Sequence, residues 1–218
     1  MNCFDSTAIA AFVKTPRLSP IKTRLGATIG TAAAEEFYLM SLKAISQTIQ
    51  AANCAAYWAV GEEDGLKNKL WKSFNCLHTG EGGLGERQDN VYRALLKTHN
   101  KVLLIGADSP QLTPAILTNA FEELEKSDFV IGPAKDGGYY LFGGKSPVAT
   151  EVWVTVTYST SETRAELIRK LPSVPAMLPI LTDVDTLDDL KSILNELPDK
   201  PSTAQKDLAR WIIELSGE

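Results

Sequence analysis

Short apolar runs alternate along this chain with longer stretches whose apolar residues recur at three- and four-residue steps. The runs at 8–13, 55–60, 76–78, 102–105 and 129–132 are bounded by polar or glycine-containing positions, the pattern of short buried strands. From Thr31 onward, Ala34, Tyr38, Leu42, Ile45 and Ile49 share one face, so a helix is predicted to begin there and cover the sheet. A second helix is predicted over 84–97, and a third begins at Thr113 and Pro114, a hydroxyl cap with proline in the first turn. Near the end, TLDD at 186–189 and STAQ at 202–205 have the capping-box form and predict two more helices. Strands that alternate with helices in this way predict an α/β fold with a largely parallel sheet. A single domain over 1–218 is expected, with a hinge signal only at 198–201.

Composition narrows the class. With 44% hydrophobic and 22% charged residues the chain reads as a soluble globular protein, and no apolar run approaches the roughly 20 residues that span a bilayer. The first residues lack the basic start and continuous apolar centre of a secretory signal, so a cytoplasmic location without membrane association is expected. Cys3, Cys54 and Cys76 are odd in number and widely spaced, which predicts buried free thiols rather than a disulfide or a thiolate metal site. A net charge of −5 argues against nucleic-acid binding, which needs a broad positive surface. The charge is unevenly spread, however: no acidic residue lies between Asp5 and Glu35, while Lys14, Arg17, Lys22 and Arg24 all do. That asymmetry suits a small anion.

Five stretches could carry chemistry. The basic segment KTPRLSPIKTRLG (14–26) follows the first predicted strand, at the sheet edge where open α/β folds place ligands. It has no glycine-rich phosphate loop, so side chains would do the neutralising: Arg17 and Arg24 as bidentate forks, Lys14 and Lys22 as point charges. A solvated basic loop explains the same residues. Asp108 ends the apolar run at 102–105 and is placed either to hold Mg²⁺ on a phosphate or to shape a turn. Asp136, Gly137 and Gly138 permit close backbone approach to a ligand, or simply a hairpin. Asp183 and Asp185 would share one side of an extended segment, within reach of a cation held by Asp108 or as charges favoured by a helix N-terminus. Arg87 follows the glycine-rich turn GEGG (80–83) and could face an anion beside helix amides.

Taken in order, K-x-x-R-x-x-x-x-K-T-R-L, L-G-E-R, G-A-D-S-P, G-P-A-x-D-G-G-Y-Y and D-V-D-T-x-x-D-L resemble an uncharacterised bacterial glycosyltransferase-A-like family of the nucleotide-diphospho-sugar transferase superfamily. The resemblance runs from Phe12 to Leu190, and the first motif is also similar to that of the deazaflavin-cofactor guanylyltransferases. It implies a three-layer α/β/α sandwich with a mainly parallel mixed sheet. It further implies Mg²⁺ (or Mn²⁺) on Asp108 and Asp185, and nucleotide contacts from Lys14, Arg17, Lys22, Thr23, Arg24, Arg87, Asp136, Gly137 and Gly138. Lys22, Arg24 and Asp108 are the residues expected to act in catalysis. The chain departs from the family at Ser19-Pro20, Gly82-Gly83, Gln88 and Tyr158-Ser159-Thr160, where the family has glycine, an acidic residue, methionine and W-S-T. The fold is untouched by these changes, which fall toward the acceptor.

The resulting expectation is a metal-dependent transferase that uses a nucleoside triphosphate or nucleotide-sugar donor and a small-molecule acceptor, with a homodimer as its candidate assembly. His78 and His99 lie outside the motifs. An acceptor phosphate or carboxylate arrives ionised and needs no base, which favours nucleotidyl over glycosyl transfer. The competing class is a non-catalytic nucleotide-binding regulatory or scaffold protein on the same fold.

Overall fold

A computed structural model describes residues 7–216. Seven strands form one sheet: β1 (Thr7–Val13), β2 (Ala55–Val60), β3 (Asn75–His78), β4 (Lys101–Gly106), β5 (Phe129–Pro133), β6 (Tyr139–Gly144) and β7 (Ala176–Met177). Their order is β3-β2-β1-β4-β6-β5-β7, and β6 alone runs antiparallel to its neighbours. All five predicted strands are present to within a residue at each end.

Alternation along the central strands sorts their side chains into two layers. Ile9, Ala11 and Val13 of β1, with Leu103 and Ile105 of β4, pack beneath α2 (Thr31–Ala51) and α4 (Pro114–Lys126). Ala8, Ala10, Val102 and Leu104 point the other way, toward α3 (Leu84–Leu96), α5 (Thr150–Val154) and α6 (Thr163–Lys170), where Tyr92, Phe142 and Trp153 form an aromatic cluster. With both faces covered, the strands read as continuous apolar runs. The result is the three-layer α/β/α sandwich with a mostly parallel mixed sheet. A smaller cluster gathers Leu25, Phe37, Val184, Leu190, Leu208 and Ile212 where α1 (Thr23–Ile29), α7 (Leu187–Ser192) and α8 (Thr203–Ser216) meet α2.

The predicted caps are formed. The Thr113 hydroxyl accepts from Ile116 N–H, and Thr186 and Asp189 make a reciprocal capping box. Ser202 and Gln205 pair in the same reciprocal way.

The D-G-G stretch forms the tip of the β5–β6 hairpin, as one of its two readings expected, and β6 lies between β5 and β4. Two features differ from expectation. The basic segment is not a loop throughout, since its last residues open α1, a seven-residue helix without apolar periodicity that Gly30 separates from α2. Cys54 and Cys76 are half-buried rather than buried, with burial pushing the Cys54 thiol up to about 11; Cys3 lies outside the described residues. No helix among the described residues is long and apolar enough to cross a membrane.

Candidate functional site

Parallel strands bring the ends of β1, β2, β3 and β4 to one edge, and antiparallel β6 starts from that same edge. The segment leading into α7 closes over it. Leu181 N–H donates to Pro133 O, Lys135 N–H to Leu181 O, and Val184 N–H to Asp108 O. Ser109 Oγ (3.2 Å) and Gln111 Nε2 (2.7 Å) both donate to Thr182 O. Glu196 ties the two sides together: it accepts from Thr182 N–H (2.9 Å), Gln111 Nε2 (2.9 Å) and Lys135 Nζ (2.6 Å). The 182–185 segment is thereby anchored to both the 108–111 turn and the hairpin tip.

That anchoring assembles a charge centre from four parts of the chain. Asp136, Asp183 and Asp185 each bring a carboxylate oxygen within 4.8 Å of the others. Burial, then the charge of Asp108, pushes the Asp183 carboxyl up to about 7, and no hydrogen bond to it offsets this. Lys22 enters from below with a side chain only 4% exposed; its Nζ lies 2.8 Å from Asp108 Oδ1, 3.6 Å from Asp185 Oδ1 and 2.5 Å from Val184 O. Burial pulls the Lys22 ammonium down, but Asp108, Asp183 and Asp185 outweigh it and hold the group charged. Lys22 has left-handed backbone geometry (φ 44°), the strained conformation from which α1 departs. Two residues on, Arg24 Nη2 donates to Asp185 Oδ2 at 2.6 Å from a side chain that is 72% exposed.

The sequence-predicted residues thus divide. Lys22, Arg24, Asp108, Asp136 and Asp185 converge. Asp108 stands outside the acidic trio, engaged by Lys22, while Asp136 belongs to it rather than to a separate ligand contact. Lys14 and Arg17 are exposed at the same edge and make no salt bridge among the described residues, with the Lys14 backbone pinned in both directions by the Tyr38 hydroxyl. Thr23 is exposed in the first turn of α1. Gly137 (φ 93°) lies so close to Ser161 that a Cβ would stand 2.1 Å from its carbonyl oxygen. Arg164 completes this clamp, its N–H donating to Gly137 O and its Nη1 to Ala134 O. Ser161 and Arg164 carried no sequence signal, because the contacts are to backbone and lie some two dozen residues from the tip.

Arg87 does not face open space. Its Nε donates to Gly82 O (3.0 Å), and its Nη1 to Gly61 O (2.8 Å) and the Thr79 hydroxyl (3.1 Å), so it joins the loops after β2 and β3. Hydrogen bonds from a charged donor contribute about 1.5–3 kcal/mol each at best, and their loss partly overlaps. Arg87→Met is therefore expected to cost about 2 kcal/mol in urea unfolding, and Arg87→Lys to recover little of it because an ammonium lacks the planar fork. Full stability in Arg87→Met would remove the clamp from this account.

Comparison with known proteins matches residues 41–160 to the family described as an uncharacterized protein conserved in bacteria (DUF2064). The chain belongs to this family. No curated protein matches it. Among solved structures, a candidate nucleotide-diphospho-sugar transferase from Desulfovibrio desulfuricans G20 superposes with a TM-score of 0.85 at 24% identity, covering 97% of this chain and 95% of that one. Rv0371c from Mycobacterium tuberculosis H37Rv, solved as a manganese complex, gives 0.55 at 14% identity over 87% and 98% of the two chains. A CMP:2-keto-3-deoxy-manno-octonic acid synthetase complexed with CTP gives 0.50 at 10% identity over 86% and 96%. At these identities the likeness is one of fold, that of the nucleotide-diphospho-sugar transferases, as this DUF2064 chain's motifs implied.

Proposed function

We propose that this protein is a metal-dependent transferase that takes a nucleotide donor, and that it performs nucleotidyl rather than glycosyl transfer. The observation that carries the reading is the meeting of the acidic trio Asp136, Asp183 and Asp185 with Lys22 and Arg24 at the carboxyl edge of the sheet. Manganese in a structural relative and CTP in another agree with it.

The donor set fits Mg²⁺ or Mn²⁺. It consists of hard carboxylate oxygens without thiol or imidazole, and the half-buried Asp183 carboxylate has no hydrogen bond to satisfy it. Asp185 and Asp183 would hold the ion with Asp136 at its exposed side, and Asp108 would bear on it through Lys22. When bound, such an ion neutralises phosphate oxygens and the charge that develops on the leaving group.

The protein's own groups do the rest. Lys14 and Arg17 have exposed side chains that can reach donor phosphates, Arg24 can turn to them from Asp185, exposed Thr23 lies beside it on α1, and buried Lys22 lies beneath. Gly138, whose Cβ position faces the Asp136 side chain, keeps the wall opposite low, while Gly137 seats the hairpin tip on Ser161. An acceptor oxygen attacks the α-phosphorus as its bond to the bridging oxygen breaks, and pyrophosphate departs with that electron pair. Neither histidine is coupled to the trio; His99 Nδ1 meets the Thr98 hydroxyl and Leu95 O instead. An acceptor that arrives as phosphate or carboxylate is therefore the better match.

A panel of nucleoside triphosphates and nucleotide sugars, with Mg²⁺ and candidate acceptors, tests this by product analysis. Pyrophosphate release is expected, falling at least about 10²-fold in Asp185→Asn, in line with the loss of a single electrostatic stabiliser. Release of a nucleoside diphosphate with sugar transfer would establish the glycosyl alternative, and tight nucleotide binding without turnover would establish the regulatory one.

A further inference from the structure

Asp185 is a member of the acidic trio, yet both of its oxygens are already engaged by cations of the protein. Oδ1 lies 3.6 Å from Lys22 Nζ, and Oδ2 accepts from Arg24 Nη2 at 2.6 Å. Asp108 is engaged likewise, at 2.8 Å. A divalent ion bound to Asp185 would stand beside two positive groups that already hold its oxygens, and their repulsion opposes the ion unless at least one of them moves away. The same two side chains sit on the basic segment that the donor's phosphates would contact. Arg24 is largely exposed, with Asp185 as its one carboxylate partner among the described residues. Lys22 has left-handed backbone geometry, and its buried ammonium is held by Val184 O and by the very carboxylates in question.

We propose that Lys22 and Arg24 are exchangeable counter-ions of Asp108 and Asp185, which an incoming polyphosphate draws off so that a divalent cation and the phosphate ligand favour each other's binding. The proposal rests on the nucleotide-donor reading for the identity of the anion, but the exchange itself is a property of the metal-free protein. A polyphosphate offers several oxygens to both cations at once, replacing the carboxylates they leave; the freed oxygens then face the ion. Linkage requires the effect to be mutual, so each ligand strengthens the other by the same factor. Without the anion, the metal must compete with two internal cations and binds weakly.

Mn²⁺ binding, read from the electron paramagnetic resonance signal of the free ion, separates this from simple electrostatics. With Mn²⁺ alone, Lys22→Met and Arg24→Met are each expected to bind the ion at least about 10-fold more tightly than the native protein, a change of about 1.4 kcal/mol. Lys14→Met removes one positive charge from the same segment without freeing a carboxylate, and is expected to change affinity less than about 2-fold. Thermal unfolding of each variant verifies that it is folded, and Arg24→Met, altered at an exposed side chain, keeps the test intact should Lys22→Met unfold. Equal or weaker Mn²⁺ binding in folded Arg24→Met overturns the exchange, as does an equal gain in Lys14→Met. With saturating GTP or CTP, Mn²⁺ affinity should rise in the native protein and rise several-fold less in the variants. If neither nucleotide binds, the donor reading falls while the metal-alone comparison still decides the exchange.

Discussion

Gly137→Val should destabilise the protein by about 3 kcal/mol or more. Two costs combine. Valine at φ 93° occupies a backbone region that branched side chains strongly disfavour, at about 1–3 kcal/mol. Its Cβ would also stand 2.1 Å from the Ser161 carbonyl oxygen and 2.6 Å from the Ser161 Cα, and overpacking of this kind costs about 1–3 kcal/mol. The obstacle is backbone, fixed in turn by Arg164, so relief requires the hairpin tip to lift away from the 158–164 segment. Asp136 sits on that tip. Urea unfolding should register the stability loss, and Mn²⁺ titration of the folded fraction should show weakened binding. Gly138→Ala makes the contrast: its nearest neighbour at 3.1 Å is the Asp136 side chain, which can move, and its φ is not positive, so a milder loss is expected. Equal stability of the two variants would refute the role given to the Gly137–Ser161 contact.

The metal-free protein should lose stability as the pH is raised from about 4 to about 7, the reverse of the usual behaviour of a carboxylate. Burial and the neighbouring Asp108 charge hold the Asp183 carboxyl at about 7 in the folded chain, against an ordinary value of about 3.9 when unfolded. Between those limits the folded state keeps a proton that the unfolded state has released, so stability falls with rising pH and the penalty is complete above about 7. At about 1.4 kcal/mol per pH unit, discounted for the partial exposure of the group, the cost is about 2 kcal/mol. Asp183→Asn keeps the shape and discards the charge. It should be about 2 kcal/mol more stable than the native protein at pH 8 without metal and nearly equal at pH 4, while binding Mn²⁺ at least about 10-fold more weakly. Saturating Mg²⁺ should erase most of the native protein's disadvantage, because a ligand that binds only the folded state stabilises it. Indistinguishable melting curves at pH 8 would count against the strained carboxylate.

How much of this was legible beforehand follows from the range of the interactions. Periodicity and caps are local, and β1 to β5, α2, α3, α4 and the two C-terminal caps were readable from them. The short helices α5 and α6 and the two-residue β7 were not, since none spans enough turns or alternations to leave a pattern. In α1 a run of cations and small residues masked the helix. The same logic governs the site. Its residue types and their order pointed to the right edge of the sheet, but pairing did not: the carboxylates that neutralise Lys22 and Arg24 lie more than 80 and 160 residues away. Reading the basic segment by itself made four free cations of what are two free and two engaged. Asp136, quoted for its glycine turn, became a member of the acidic trio only when the hairpin tip met the 182–185 segment.

The 162-residue separation between Lys22 and the carbonyl of Val184 also bears on biosynthesis. A ribosome adding about 5–20 residues per second makes the basic segment roughly 10–30 s before Val184 and Asp185 exist. During that interval the nascent chain carries four positive side chains and can already pair β1 with β2 and β4, yet it has no complete charge centre. A chain cut off between Gly144 and Asp183 would contain β1 to β6 but lack Asp183 and Asp185, so Arg24 would have no carboxylate partner and Lys22 would keep only Asp108.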